Sequence, residues 1–220
     1  MKITFCDFLI GYMPVKWYQT GSFLLVTVFI ISACSPLKMN IEILDQRVMS
    51  GVPSASGLAW QGDSLWIVGD NSAWLFLVDT SGKRLDKFPA IKDAIAEDSI
   101  MKKKKKADLE ALEWVRYKDE KLLVAIGSGS RKSSRENATV FRKGISEASF
   151  FDLGKLYDHL RALPEMSGDE LNLEGLAYYG DKVMLLNRSN NLVFQFQTDA
   201  FMQYILDGGP MPGSTISSIQ

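Results

Sequence analysis

The sequence predicts an all-β fold of repeated antiparallel sheets, because one pattern occurs three times along the chain. The copies occupy residues 55–78, 107–130 and 171–196. In each copy a short apolar run leads into a tight turn, and a longer apolar run and a polar turn follow. Short strands that recur with turns in this way are typical of the blades of a β-propeller. The alternative is a β-sandwich in which the copies resemble one another by accident.

The spacing within the copies supports a true repeat. Twelve positions separate Gly57 from Gly69, and twelve also separate Gly175 from Asn187. In the middle copy Ala111 takes the place of the first glycine, and extra residues lengthen the turns. Matched spacing of this kind indicates that each copy is one unit of a repeated structure.

The first copy shows how the pattern divides into strands. Residues 58–60 form a short apolar run, and Gly62 and Asp63 are typical of a hairpin turn. The run 64–69 (SLWIVG) predicts a strand that is buried on both faces, and 74–79 predicts a third strand. Four tryptophans are predicted to pack between blades: Trp60, Trp66, Trp74 and Trp114.

The remaining segments are predicted to be helix or loop. Residues 153–163 have apolar residues at a helical period and end before Pro164, which predicts a helix. Residues 90–100 predict a second short helix, and the lysine run 102–106 predicts a solvated loop. The tail at 208–220 is rich in Gly, Pro and Ser and predicts a loop or the start of a missing blade.

The number of copies leaves the predicted ring open. Residues 41–207 hold three recognisable blades and a partial one, whereas propellers close with about four to eight blades. An open ring leaves strand edges that invite pairing with other chains. We therefore expect the chain to be truncated, and the alternative is that another copy supplies the missing blades.

The N-terminal segment predicts a targeting signal. Eleven residues, 23–33, form an apolar run that is too short to span a bilayer as a helix but fits the core of a signal peptide. The small residues before Cys34 resemble the lipobox of bacterial lipoproteins, in which the cysteine is acylated with fatty acids such as palmitate. The predicted organisation is a lipoprotein signal peptide at 1–33 and a tether at 34–40. A start at Met13 would give a shorter signal, and an ordinary signal peptide or a buried strand would also account for the apolar run.

The lipoprotein resemblance also implies a location. Ser35 follows the cysteine, and in the lipoproteins that this segment resembles such a residue favours export to the outer membrane. We therefore expect a protein that is lipid-anchored in the cell envelope, at the outer membrane and facing the periplasm.

Composition excludes several kinds of site. The formal net charge is −1, so no overall field favours nucleic acid as a partner. Cys6 and Cys34 are the two cysteines and His159 is the one histidine. The body of the chain therefore offers no cysteine-based zinc site and no site with several histidines. His159 lies on the amphipathic segment predicted to be helical, which is more typical of a surface residue than of a catalytic base.

Three segments together resemble a known family. They are SGLAW with LWIVGDNS, LEALEW with GSGSR, and LNLEGLAYYGDKVMLLNRSNN. In these motifs the chain is similar, over about residues 40–207, to a family of bacterial envelope propellers of unknown function (domain-of-unknown-function family 6929). That family is distantly similar to the phytase-like esterase and SdiA-regulated propellers. The resemblance implies a propeller fold and an envelope location.

Two carboxylates occupy the same position of the repeat. Glu110 and Glu174 stand just before Ala111 and Gly175, and Ser56 has this position in the first copy. The first strand of a propeller blade lines the central channel, so we expect the carboxylates to converge. Converging carboxylates suit a calcium ion and raise one another's pKa, as acid–base catalysis requires. The alternative is that each binds backbone amides between blades.

Other polar candidates lie in the turn after the second strand of each copy. Asp70, Ser128, Arg131 and Arg188 are predicted to share one face of the fold. The sequence GSGSR, which contains Ser128 and Arg131, suggests a backbone nest for phosphate, and the alternative is an exposed turn. Arg188 interrupts the end of an apolar strand and needs a carboxylate partner, for which Glu174 and Asp70 are the candidates.

These observations leave three functions open. The first is a lipid-anchored envelope propeller that serves as a binding or scaffold module for a protein or glycan partner. The second is a calcium-dependent phosphoesterase or esterase of the phytase-like type, by the resemblance described above. The third is a truncated fragment without a function of its own. The sequence does not decide whether the protein is an enzyme.

Overall fold

The computed structural model describes residues 42, 43, 46, 48–92, 100–102, 105–142 and 148–219. Several predictions fall on the rest of the chain and lie outside the described residues: the signal peptide, Cys34, the tether and most of the short helix predicted at 90–100. The chain divides into two compact units, 1–46 and 47–220. The second unit contains three four-stranded sheets.

The first sheet is formed by the first copy of the repeat. Its strands are β1 (Ala55–Gln61), β2 (Ser64–Gly69), β3 (Trp74–Asp79) and β4 (Arg84–Pro89). They lie side by side in chain order, and every neighbouring pair is antiparallel. The β1–β2 turn contains Gly62 at a φ of 59°, a left-handed conformation that glycine adopts without strain.

The other two sheets repeat this arrangement. The second contains β5 (Leu109–Tyr117), β6 (Glu120–Gly127), β7 (Asn137–Arg142) and β8 (Ala148–Asp152). The third contains β9 (Leu173–Tyr179), β10 (Lys182–Asn187), β11 (Leu192–Gln197) and β12 (Ser214–Ser218). Between the sheets and within the third lie α1 (Gly154–Arg161), a 3₁₀ turn (Pro164–Met166) and α2 (Thr198–Asp207).

The sheets pack face to face in chain order, and their first strands lie next to one another. One apolar core joins the first and second sheets and includes Val68, Leu75 and Leu112. A larger core joins the second and third sheets and takes in α1 and α2 as well. The prediction of an all-β, propeller-like repeat with short helices between blades is confirmed.

The C-terminal tail differs from the expectation of a loop or the start of a missing blade. Residues Ser214–Ser218 form β12, which pairs with β11 and completes the third sheet. The sequence signal was weak because β12 is an edge strand in which Ile216 is the one apolar residue, and this residue packs against the core. The ten-residue helix α2 separates β12 from its partner.

Of the helices in the described part of the chain, one was predicted and one was missed. The predicted helix at 153–163 is α1, and its buried residues are Leu156, Tyr157 and Leu160. The sequence analysis did not identify α2, although Phe201, Met202 and Ile205 lie on one buried face and Gly208 ends the helix in a left-handed conformation. Among the described residues, no helix is long and apolar enough to cross a membrane.

The tryptophans only partly follow their predicted role. The Trp66 ring packs edge-on against Trp114 at a centroid distance of 6.0 Å, which joins the first two sheets. Trp74 is partly buried beneath the ammonium group of Lys87. The prediction was wrong for Trp60, whose surface is 58% exposed. Trp60 lies on the face of the first sheet that is turned away from the second sheet.

Candidate functional site

The candidate site lies where the first strands begin and the second strands end. Glu110 is on β5, and Asp70 follows β2. The structure brings both together with Asp108, so that one carboxylate oxygen from each lies within 4.8 Å of the others. The carboxylates predicted to converge were Glu110 and Glu174, but this group contains Asp70 and Asp108 with Glu110 and does not include Glu174.

A β-bulge places the repeated polar residue in every first strand. Ala55 pairs with Gly69 and Gly57 pairs with the preceding residue of β2, so Ser56 is the extra residue of β1. The same step in register leaves Glu110 as the extra residue of β5 and Glu174 as that of β9. A bulge redirects the side chain of its extra residue, often beside a functional site. The repeat position recognised in the sequence is therefore a bulge.

Ser56, which has this position in the first sheet, forms a hydrogen bond to the backbone of the second sheet. Its hydroxyl donates to the backbone carbonyl of Leu109 at 2.6 Å and so ties the first sheet to the second. Glu174 instead accepts a hydrogen bond from the Asn172 side chain at 2.9 Å. It also forms an ion pair with Arg188 at 3.1 Å. The predicted pairing of Arg188 is thus confirmed, with Glu174 as the partner. The Arg188 side chain is 71% exposed, so this pair lies at the surface.

Asp108 is the buried centre of the site. The Lys106 ammonium bridges Asp108 and Asp70, and its distance to Asp70 Oδ2 is 2.8 Å. Arg135 Nη1 lies 2.8 Å from Asp108 Oδ2, and the hydroxyl of Ser128 donates to the same oxygen. Burial alone would raise the pKa of Asp108, but the hydrogen bonds and the two cations lower it. Asp108 is therefore an ionised carboxylate held between two cations.

Lys106 differs from the solvated lysine that the sequence predicted. Its side chain is only 15% exposed. Burial lowers its pKa, but hydrogen bonds to Asp108 and Asp70 outweigh this effect and raise the pKa overall. The ammonium therefore stays charged and occupies a place between two carboxylates where a bound cation could otherwise lie.

Glu110 is the carboxyl group of the site to which the described residues provide no ion pair. Burial raises its pKa to about 7, and the negative charges of Glu174, Asp108 and Asp70 contribute, while Lys106 opposes them. At neutral pH the group is divided between its two protonation states, so it can exchange its proton for another cation or transfer it. Asp70 Oδ1 and the Oδ1 of the next residue, Asn71, are buried acceptors without a hydrogen bond from the described residues.

The loop after β6 is organised by residues that the sequence analysis missed. Arg131 is exposed, and Arg135 and Arg161 reach the loop instead. Arg135 Nη1 donates to Ser130 at 2.7 Å, and Arg161 Nη2 donates to the Gly129 carbonyl at 2.6 Å. Arg161 also pairs with the buried Glu136 at 2.6 Å. Arg135 and Arg161, the two cations that reach the expected phosphate nest, are thus engaged with the protein's own acceptors.

Three solved structures resemble this chain at low sequence identity, and one of them is a β-propeller domain. Hydrazine synthase of Kuenenia stuttgartiensis has a TM-score of 0.40 and 13% identity, covering 72% of this chain and 36% of that chain. The designed protein Ika4 has a TM-score of 0.36 and 14% identity, covering 70% and 74%. The β-propeller domain of Cps50 (Swd1) from Myceliophteria thermophila has a TM-score of 0.30 and 12% identity, covering 74% and 57%.

Comparison with known proteins identifies a family for this chain. This chain corresponds to little more than a third of the hydrazine synthase chain, at 36%. No curated protein matches the sequence. Residues 51–220 match a family of unknown function, DUF6929, and the chain belongs to that family.

Proposed function

We propose that the protein is a binding module of the bacterial envelope whose acidic site holds a positively charged group of a partner. The observation that carries this proposal is Glu110, a partly buried carboxyl group with a pKa of about 7 and three acidic neighbours. A cation that approaches this group replaces its proton and relieves the repulsion among the carboxylates.

The distribution of charge at the site supports a cationic ligand. Lys106 and Arg135 neutralise Asp70 and Asp108, and Arg188 neutralises Glu174. Within the described residues Glu110 has no such ion pair, and Asp70 beside it has a buried oxygen without a hydrogen bond. A lysine or arginine side chain of a partner protein, or an amino group on a glycan, has the charge and the donors that these oxygens lack.

The second candidate is a calcium-dependent phosphoesterase of the phytase-like type. It is favoured by the three carboxylate oxygens within 4.8 Å of one another, because calcium binds clusters of oxygen ligands. The Lys106 ammonium already lies between two of the three carboxylates. Calcium must displace this ammonium or bind beside it through Glu110, so the binding module is the better-supported proposal.

The proposed location is the outer membrane, where a lipid on Cys34 anchors the module facing the periplasm. The apolar run at 23–33 and the small residues before Cys34 support this part of the proposal. Metabolic labelling with palmitate tests it. We expect label in the parent chain and in a Cys6→Ala control, and none after Cys34→Ala. Equal labelling of all three chains would rule out anchoring through Cys34.

Calorimetric titration tests the proposed site. Spermidine and calcium chloride serve as probes at matched ionic strength, on either side of neutrality and in two buffers of different ionisation enthalpy. We expect binding to release protons and to strengthen as the pH rises through about 7, because ionised Glu110 is the binding form.

Two variants complete this test. Glu110→Gln is expected to abolish the proton release, whereas Glu120→Gln is the control, because Glu120 is exposed and pairs with Arg142 elsewhere. Unchanged spermidine and calcium binding by Glu110→Gln would refute the proposed site. Calcium-dependent hydrolysis of a phosphomonoester that disappears in Glu110→Gln would instead establish the second candidate.

A further inference from the structure

Equivalent residues of the three repeats differ sharply in exposure. Leu112 and Trp114 of β5 are 4% and 7% exposed, and Leu176 of β9 is 8% exposed. Leu58 and Trp60 have the same positions in β1, yet they are 54% and 58% exposed. The first sheet therefore presents an apolar inner strip whose counterparts in the other sheets are covered by the preceding sheet.

The contact between the first two sheets shows what covers such a strip. A Cβ atom added at Gly57 would lie 3.1 Å from the backbone nitrogen of Leu112, so the first strands approach closely there. Trp66 of β2 covers Trp114 at 6.0 Å. A glycine in the first strand and a large apolar residue in the second strand of one sheet thus pack against the leucine and the tryptophan of the next sheet.

The third sheet has the same kind of surface, with a glycine in its first strand and a large apolar residue in its second. No element of the described residues covers the inner part of this surface. Gly175 corresponds to Gly57, and Met184 corresponds to Trp66, because each stands at the same place in the register. On this face Ala177 is exposed, Met184 is only partly buried, and Tyr179 is 81% exposed. The surface that would cover Leu58 and Trp60 is therefore present on the same chain, at the opposite end of the row of sheets.

We propose that two copies of the chain close into one ring, in which the third sheet of each copy covers the first sheet of the other. Each copy contributes three sheets, so the ring has twice three, or six, sheets, which is within the usual size of about four to eight blades. Both new contacts repeat the contact that already joins successive sheets, and a two-fold axis relates them. Met49 and Val52 pack on the outer part of the same face of the first sheet and leave the inner strip for the second copy.

The ring extends the proposed function and does not depend on it. It would place two sets of Glu110, Asp70 and Asp108 around one axis. Light scattering of the full chain in non-ionic detergent tests the association directly. We expect a protein mass of twice 24.6 kDa. A mass of one chain at every concentration would overturn the proposal, and further sheets supplied by a longer chain would then be the explanation for the exposed strip.

Cross-linking tests the arrangement of the two copies. In a full chain with Cys6 and Cys34 replaced by serine, Trp60→Cys and Met184→Cys are introduced singly and together, and a short bismaleimide is added. Because residue 60 of one copy faces residue 184 of the other in the ring, we expect a covalent dimer only from the double variant. Dimers from either single variant, or none from any variant, would overturn the ring.

A matched pair of substitutions separates association from folding. Trp60→Asp is expected to convert the dimer to a monomer with its circular dichroism spectrum unchanged. Phe150→Asp is the control, because Phe150 is 37% exposed on β8, an outer strand of the middle sheet. It should leave the dimer intact. A dimer that survives Trp60→Asp would show that the strip is not the interface.

Discussion

Replacing Glu110 by glutamine should stabilise the protein at alkaline pH and leave it nearly unchanged at acid pH. The pKa of Glu110 rises from 4.5 in the unfolded chain to about 7 in the folded one. The folded state therefore holds its proton when the unfolded state has lost it, so stability falls as the pH rises from 4.5 to about 7. Glutamine keeps the shape of the side chain and removes this penalty.

The size of the effect follows from the shift in pKa. At about 1.4 kcal/mol for each unit, the rise from 4.5 to about 7 gives an upper limit of about 3.5 kcal/mol. The side chain is only partly buried, and solvent screening reduces this figure to about 1–2 kcal/mol. For a folded region of this size the gain corresponds to about 3–6 °C in melting temperature.

Thermal unfolding at about pH 4 and about pH 8 measures this difference. Glu120→Gln is the control, since Glu120 lies in an exposed pair with Arg142. We expect Glu110→Gln to have a higher melting temperature than the parent chain at about pH 8 and the same melting temperature at about pH 4. The melting temperature of the control should stay within about 2 °C of the parent's at both pH values. An equal gain at both pH values, or no gain at about pH 8, would refute the reasoning.

Three further substitutions test other parts of the site. Lys106→Met should destabilise the fold by about 2–4 kcal/mol, because Asp70 and Asp108 lose their shared cation; urea unfolding should show calcium restoring part of the loss, with exposed Lys105→Met unaffected. Tyr157→Phe should cost about 1–2 kcal/mol in the same assay, since the buried hydroxyl donates to a backbone carbonyl at 2.6 Å; an unchanged midpoint would contradict this. Arg188→Ala should change stability by less than about 1 kcal/mol, because its ion pair is exposed, and a larger loss would show a role beyond that pair.

The fold was largely predictable because its signals are local. The turn glycines, the apolar runs and the period of α1 are all visible in the sequence within one repeat. The helix α2 also had a signal in the spacing of Phe201, Met202 and Ile205, but this segment directly follows the apolar residues of β11. β12 had no such signal, since its stability comes from pairing with a strand more than ten residues away.

The candidate site was predictable in position but not in its partners. Glu110 and Glu174 stand at the repeated bulge, so their side of the fold could be identified from spacing. Lys106 ends a run of lysines and has the appearance of a surface residue, and Asp108 has no counterpart in the pattern. Arg135, which pairs with Asp108, comes from the loop between β6 and β7. Such long-range pairing of charges leaves no periodic trace in a sequence.

The most direct test of the account is a nuclear magnetic resonance titration of the Glu110 side-chain carboxyl carbon. The account predicts a pKa of about 7 and a lower value in Glu174→Gln, because the charge of Glu174 is one cause of the rise. A value near 4.5, unaffected by Glu174→Gln, would mean that the first strands do not bring these carboxylates together, and would contradict the central claim.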